Sequence, residues 1–290
     1  MNFKNATELL ELCETHKLPI SAVMLERELI LSEQSKTDIL SRMSKVWNAM
    51  KTSATVPLKQ PTKSMGGLIG GEAFLLKENH SQGALLCGQV LQAAITYAMA
   101  VLEVNASMGV IVAAPTAGSS GIVPGLLLSL QEHYHFTDAQ IFSGLFNAGA
   151  LGYLAMRNAT VAGAVGGCQA EVGIASAMAA SACVELLGGT PKQCLNASST
   201  VLMNMLGLVC DPIAGLVEYP CQLRNASGVS NAVAAAGIAL SGVPQLIPFD
   251  EMLSTMYSVG KRIPMELRET ALGGCAVTPS ACKTCHSNCS

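Results

Sequence analysis

The chain has 290 residues, of which half are hydrophobic and only 13% are charged. An ordinary soluble domain carries roughly 25% charged residues. Intrinsic disorder requires low hydrophobicity and high net charge, whereas the formal net charge here is −3. The 27 glycines follow no strict three-residue period, which excludes collagen. What remains is an unusually apolar globular protein or a membrane protein.

The segments with few charges do not form clean transmembrane spans. A spanning helix needs roughly 18 or more consecutive, mostly apolar residues. Residues 79–102, 104–131 and 225–249 are each interrupted by polar side chains or prolines. The N-terminus also lacks a basic start followed by an apolar signal region. We therefore expect a cytoplasmic protein whose helices are buried by other helices.

In chain order, the sequence predicts an all-α fold in a single domain, residues 1–290. Residues 1–51 show apolar side chains at helical spacing and are predicted to form two or three N-terminal helices. Residues 52–72 contain two prolines and a glycine-rich run, and are predicted to form a linker or functional loop. Residues 73–272 alternate apolar helical patterns with turns and form the predicted core. Residues 273–290 are predicted to form an irregular, cysteine-rich tail.

The 11 cysteines are conspicuous in a reducing compartment, where disulfides are rare and metal binding or catalysis is the more common use. Free cysteine is also among the most buried residue types. Four cysteines lie on apolar helical patterns and are assigned to the core: Cys13, Cys87, Cys183 and Cys194.

The tail offers two binding interpretations. The run from Cys282 to His286 matches the c-type haem attachment pattern, Cys-x-x-Cys-His. Cys282, Cys285, His286 and Cys289 are also ligand types that zinc accepts. No export signal accompanies the haem pattern, and the spacing is compact for zinc. A non-catalytic module that binds zinc or haem stays as an alternative.

A loop rich in small and hydroxyl residues, Pro115-Thr-Ala-Gly-Ser-Ser-Gly-Ile-Val-Pro124, precedes an apolar run. Its backbone N–H groups could bind an anion, as turns before helices do. It is neither a Walker loop nor a nucleophile elbow, because the defining residues of both are missing. A tight connection between helices is the alternative interpretation.

Three further cysteines, Cys168, Cys210 and Cys221, lie next to glycine or proline at predicted element boundaries. Thiolates at such positions can point at a common centre, where nearby N–H groups tune an iron–sulfur cluster. Three cysteines would leave one iron of a [4Fe–4S] cluster without a protein thiolate. The separations of 42 and 11 residues match no generic ferredoxin pattern, so spacing alone leaves this interpretation open.

Several motifs occur together along the chain. They are Asn5-Ala-Thr-Glu-Leu-Leu, the loop at 115–124, Gly-Cys-Gln-x-Glu-Val-Gly at 167–173, Cys-Asp-Pro-x-Ala-Gly at 210–215, Pro-Cys-x-x-Arg-Asn-Ala at 220–226, Met256-Tyr-x-x-Gly-Lys, and Arg268-Glu-Thr-x-x-Gly-Gly274. In this combination and order, the chain resembles the α chain of bacterial iron–sulfur-dependent L-serine dehydratases (L-serine ammonia-lyases). The resemblance covers essentially the whole chain.

The resemblance implies a [4Fe–4S] cluster held by Cys168, Cys210 and Cys221, and no pyridoxal phosphate. In that family, a cysteine at the extreme C-terminus occupies the open iron in the resting enzyme. Penultimate Cys289 matches that position best, with Cys282 and Cys285 as alternatives.

The implied reaction is the dehydration of L-serine, followed by hydrolysis of the product to pyruvate and ammonium. An open iron acts as a Lewis acid on the substrate hydroxyl and carboxylate, and a base removes the α-proton. The family's base belongs to a Ser-His-Thr motif in a separate β domain or β chain. That motif is absent here, so the resemblance implies a β-chain partner. Related chains eliminate other β-substituents, which leaves L-threonine and L-cysteine as alternative substrates.

Seven polar residues are candidates for substrate contacts. Thr116, Ser119 and Ser120 of the hydroxyl-rich loop are expected to hold polar groups of the substrate. Arg224 and Asn225 are expected either to do the same or to support Cys221. Lys63 and Ser64, in the glycine-rich linker, are expected to line the pocket entrance.

Overall fold

The structure, a computed structural model, describes residues 1–83 and 86–285. Within these ranges every regular element is helical, and one isolated bridge pairs Cys210 with Arg268. The prediction of an all-α fold is confirmed. The α-helices are α1 (Ala6–His16), α2 (Ile20–Ser32), α3 (Lys36–Thr55), α4 (Glu72–Ser81), α5 (Gly88–Ala106), α6 (Ile122–Tyr134), α7 (Asp138–Asn158), α8 (Gly163–Gly166), α9 (Ile174–Leu186), α10 (Pro191–Asn204), α11 (Cys221–Leu240), α12 (Phe249–Gly260) and α13 (Pro279–Cys285).

Several helices begin at side chains that satisfy the free N–H groups of the first turn. Asn5 accepts a hydrogen bond from the Glu8 N–H at the start of α1. Thr137 before α7 and Thr190 before α10 each form a capping box with a glutamine three residues later. A cap of this kind stabilises a helix by about 1 kcal/mol. Local sequence therefore determines where these helices start.

Helix α9 is the centre of the molecule. Every residue from Ile174 to Val184 is buried, and α9 packs against α6, α7, α10 and α11. A helix that is apolar on all sides is typical of a protein core or a membrane. No described helix combines the length and apolar content that a bilayer crossing requires.

Small residues allow the helices to approach closely. A Cβ atom at Gly125 of α6 would lie 2.8 Å from the Ala94 carbonyl oxygen of α5. The high alanine and glycine content therefore corresponds to tight contacts between helix backbones.

Three local features differ from the sequence predictions. Helix α3 and a 3-10 turn (Val56–Leu58) extend into the segment predicted as a linker. Part of the tail is helical, because Thr278 accepts a hydrogen bond from Ala281 N–H and Pro279 occupies the first helical position. The assignment of Cys87 to the core is wrong: this residue precedes α5 and is exposed, whereas Cys13, Cys183 and Cys194 are buried.

Candidate metal centre

The three cysteines singled out from the sequence are buried at the ends of irregular segments. Cys168 immediately precedes a π-helical turn (Gln169–Gly173) that leads into α9. Cys210 lies in the connection after α10, where its backbone pairs with the segment around Arg268 through N–H···O bonds to and from Leu267 and Glu269. Cys221 begins α11. Each of the three thiols is free and at most 7% exposed.

Cys168, Cys210 and Glu171 form a compact group. Their ligand atoms all lie within 4.8 Å of one another, and the Cys210 thiol donates to Glu171 Oε2 at 3.7 Å. The π-helical turn carries Glu171 towards Cys210, and such turns are frequent at functional sites. Sequence reasoning assigned no role to Glu171. The available signal was its charge, because no other charged residue occurs between Arg157 and Glu185.

Cys221 lies outside this compact group but in the same electrostatic surroundings. Burial, followed by the charges of Cys168 and Glu171, raises the pKa of the Cys221 thiol to about 12. The structure therefore brings the three predicted ligands into one region, with Cys168 and Cys210 in direct proximity.

Arg224 links the cysteines to a buried carboxylate. Its guanidinium lies 3.6 Å from Cys168 Sγ and 2.7 Å from Asp211 Oδ1. The hydrogen bond with the Cys210 thiol, and then the Arg224 charge, hold the pKa of Cys168 below its usual value despite burial. The same hydrogen bond and burial raise the pKa of Cys210. The pKa values of these two neighbouring thiols are therefore shifted in opposite directions.

The hydroxyl-rich loop lies against Glu171. The Thr116 hydroxyl donates to Glu171 Oε1 at 2.7 Å and lies 3.1 Å from the Ser119 hydroxyl. Ser119 and Ser120 are fully buried, and the Ser120 hydroxyl donates to the Ala117 carbonyl. Thr116, which is half-buried, is the loop residue that reaches the compact group.

Asn225 fixes this loop to α11. Its side-chain amide donates to the carbonyl oxygens of Gly118 and Cys221, and its Oδ1 accepts from the Gly121 N–H. The amide is fully buried. These contacts place Asn225 between the hydroxyl-rich loop and the Cys221 backbone.

Glu218 anchors the glycine-rich loop of residues 64–70. Its buried carboxylate accepts hydrogen bonds from the Ser64 hydroxyl at 2.6 Å, Gly66 N–H at 2.7 Å and Leu68 N–H at 2.9 Å. Ser64 is therefore buried against Glu218, whereas Lys63 is exposed. Sequence reasoning also missed Glu218, although it is the only charged residue between Asp211 and Arg224.

The start of the tail is tied to the same centre. Cys275 N–H donates to Asp211 Oδ2 at 2.6 Å, and α13 packs against the turn formed by Ile213–Gly215. Asp211 therefore joins Arg224 to the tail. Residues 286–290, which include the predicted ligands His286 and Cys289, lie outside the described residues.

Comparison with known proteins identifies the family. The family model "Serine dehydratase alpha chain" matches residues 15–276. The chain belongs to this family. The resemblance inferred from the motifs is thereby confirmed.

The relatives differ in length. The chain is 47% identical over 278 residues to the "Probable L-serine dehydratase, alpha chain" of Bacillus subtilis (strain 168), covering 96% of this chain and 92% of the relative. It is 46% identical over 271 residues to the "L-serine dehydratase, alpha chain" of Peptoniphilus asaccharolyticus, covering 93% of each. It is 35% identical to "L-serine dehydratase TdcG" of Escherichia coli (strain K12), covering 95% of this chain but 62% of that protein.

Proposed function

We propose that the chain is the α chain of a cytoplasmic L-serine dehydratase that uses a [4Fe–4S] cluster held by Cys168, Cys210 and Cys221. The overall reaction converts L-serine to pyruvate and ammonia. The observation that carries the proposal is the group of buried free thiols beside Glu171. The Glu171 carboxylate also contacts the half-buried Thr116 hydroxyl of the hydroxyl-rich loop. The names of the α-chain relatives support the same substrate.

The residues fit such a cluster. Cysteine thiolates are its usual ligands, and the Arg224 cation beside Cys168 Sγ offsets negative charge on the thiolates. Gly163 leaves room beside the thiols, because a Cβ atom there would lie 3.0 Å from Cys210 Sγ and overlap the Glu171 carboxylate. When bound, the cluster supplies a Lewis-acidic iron that polarises the substrate hydroxyl as a leaving group.

The chain's own side chains then divide into two groups. Thr116 carries the hydroxyl that orients the polar groups of the substrate next to Glu171, and the buried Ser119 hydroxyl, 3.1 Å from it, helps to position Thr116. Ser120, Asn225 and Arg224 support the site, because their polar atoms already bind the backbone, Asp211 or Cys168.

Lys63 and Ser64 border the site from the glycine-rich loop. Ser64 helps to hold that loop to Glu218, and exposed Lys63 stays a candidate for attracting the substrate carboxylate.

A β chain supplies the base that removes the α-proton. Among the described residues, the histidines lie in the last turns of α1 and α4 and at the C-terminal end of α6. The hydroxyl-rich loop precedes the opposite end of α6, so that His133 lies about 17 Å further along the helix axis at a 1.5 Å rise per residue. His133 therefore lies at the end of α6 away from this loop, which favours a base supplied by the β chain.

Cys289 is proposed to bind the open iron in the resting state. Helix α13 ends at Cys285 and lies against the turn between Cys210 and Cys221. Four further residues span at most roughly 14 Å, so Cys289 follows closely on a tail that is tied to the centre through Cys275 and Asp211.

Anaerobic purification tests the cluster. A brown protein with about four irons and four sulfides per chain is expected, and Cys168→Ala, Cys210→Ala or Cys221→Ala should abolish it. Cys183→Ala, in the buried part of α9, is the matched control and should retain the iron. A colourless zinc protein would contradict the proposal. Cys289→Ala should retain the cluster, and its complete loss would contradict the resting-state role.

Pyruvate formation from serine, threonine and cysteine, measured with the α chain alone and with the β chain added, tests substrate and partner. Activity on serine that depends on the β chain is expected. Full activity of the α chain alone, with its cluster intact, would show that the base is not supplied by a partner.

A further inference from the structure

Three loops beside the candidate metal centre carry exposed apolar side chains. We call this set the mouth patch, and it consists of Met65, Met108, Val110, Leu216 and Tyr219. Met65, Met108 and Val110 are 77%, 80% and 78% exposed. Single exposed apolar residues are ordinary, but a group of them around a site marks an interaction surface.

A chain of contacts connects the mouth patch to the centre. A Cβ atom at Gly118 would lie 3.5 Å from both Val217 and Glu171 Oε1, so these two side chains flank Gly118. The preceding residue, Leu216, packs against Gly66, where an added Cβ atom would overlap the Leu216 side chain. Gly66 in turn follows Met65, whose N–H donates to the Ala106 carbonyl at 2.9 Å.

The order of these residues along the chain also places the mouth patch next to the candidate metal centre. Met108 and Val110 lie on the segment that enters the hydroxyl-rich loop at Pro115. Leu216 and Tyr219 lie between Cys210 and Cys221, on the segment that Glu218 ties to the glycine-rich loop. The mouth patch therefore lies beside the hydroxyl-rich loop and the compact group of Cys168, Glu171 and Cys210.

We propose that the mouth patch is the docking surface for the β chain, an inference that rests on the proposed function. A base on a second chain has to come within hydrogen-bond distance of a substrate held at Thr116, so that chain must bind next to this loop. The length of the relatives supports the same occupant: the chain covers 62% of TdcG and of the Helicobacter pylori L-serine dehydratases. More than a third of such a protein therefore lies outside the part that this chain matches.

The chemistry of the mouth patch suits a permanent partner. It combines two methionines, two aliphatic side chains and a tyrosine, and aromatic and methionine side chains are enriched at the centres of protein interfaces. Because methionine is flexible and polarisable, it packs well against an apolar surface of a partner.

Charge insertion into the mouth patch tests the inference. Met65→Glu and Val110→Glu change exposed side chains in loops, so the α chain should fold and retain its iron. Binding of the purified β chain to the anaerobically purified α chain, measured by titration calorimetry, should weaken at least tenfold. Leu246→Glu is the matched control, because Leu246 is 91% exposed and follows the far end of α11 from Cys221; it should bind the β chain with wild-type affinity.

Two other occupants give different results. If the substitutions left β-chain binding unchanged but altered the sedimentation of the α chain alone, a second copy would be the occupant and the inference would be overturned. If the substitutions left β-chain binding unchanged and only made the tail sensitive to carboxypeptidase, the chain's own C-terminus would be the occupant. The inference would then be overturned as well.

The outcomes also separate this inference from the proposed function. Equal affinity of all variants for the β chain would show that the mouth patch is not the docking surface, and the proposed function would still stand. A wild-type α chain purified without iron would contradict the proposed cluster. In that case, a loss of β-chain binding confined to Met65→Glu and Val110→Glu would still support the mouth patch as the docking surface. If the wild-type chains did not associate at all, the partner and the surface would both be wrong.

Discussion

The Thr116 hydroxyl donates a 2.7 Å hydrogen bond to the Glu171 carboxylate across 55 positions of sequence. This bond joins the hydroxyl-rich loop before α6 to the π-helical turn that carries Cys168. It is a direct contact between the hydroxyl-rich loop and the compact group of Cys168, Glu171 and Cys210. A conservative substitution of Thr116 therefore tests how this contact contributes to the reaction.

Thr116→Val should lower kcat/KM for L-serine about 10- to 100-fold while the iron content stays unchanged. The substitution preserves shape but removes a hydrogen bond to an acidic group, which is worth about 1.5–3 kcal/mol. Steady-state pyruvate formation by the complex of both chains measures the effect. Thr116→Ser keeps the hydroxyl and should stay close to wild type. Wild-type kinetics for Thr116→Val would show that neither this hydroxyl nor its hydrogen bond to Glu171 contributes to the reaction.

Arg224→Gln should reduce both cluster retention and stability. The guanidinium joins buried Asp211 to Cys168 Sγ, and removing one partner of a buried ion pair costs about 3–5 kcal/mol. Iron content after exposure to air and the midpoint of thermal unfolding measure the two effects. Lys51→Gln breaks the more exposed pair with Asp138 and should cost less than about 1 kcal/mol. Equal losses in the two variants would contradict the role of Arg224 at the centre.

Gly163→Ala should prevent assembly of the centre. The added methyl group would overlap the Glu171 carboxylate and lie 3.0 Å from Cys210 Sγ, so one of these ligand-type side chains would have to move. The iron-to-protein ratio after anaerobic reconstitution measures this effect. Gly237→Ala, in an exposed part of α11 with no atom near the new Cβ, should retain the iron and increase stability by up to about 1 kcal/mol. A fully loaded Gly163→Ala variant would show that the space beside Cys210 is not needed.

Much of the fold follows from local sequence, because its determinants are local. Thr137 and Thr190, each followed three residues later by glutamine, define helix starts. The apolar run of α9 indicates a buried helix. Cys87 shows the limit of this reasoning, since an apolar neighbourhood in sequence does not reveal that a residue precedes the helix rather than lying on its buried face.

For the candidate site as well, the sequence predicts some features and not others. The three cysteines were identified by their motifs, but their convergence over separations of 42 and 11 residues depends on tertiary packing. Glu171 and Glu218 were missed because a lone carboxylate in an apolar stretch does not reveal its partners. Those partners, Cys210 and the glycine-rich loop, are distant in sequence.

Glu185→Gln should change how stability depends on pH. The Glu185 carboxylate is largely buried and accepts hydrogen bonds from Ser21 N–H and the Asn147 amide, and burial raises its pKa above the ordinary 4.5. The folded chain therefore holds this proton more tightly than the unfolded chain. Its contribution to stability is fully present below the unfolded pKa and is lost as the pH rises through the folded pKa. Urea unfolding at a series of pH values upward from about 4, the ordinary range for glutamate, should show wild type losing stability relative to Glu185→Gln. Glu251→Gln, at an exposed position of α12, should follow the wild-type slope. Parallel curves for wild type and Glu185→Gln would mean that this carboxyl titrates alike in both states.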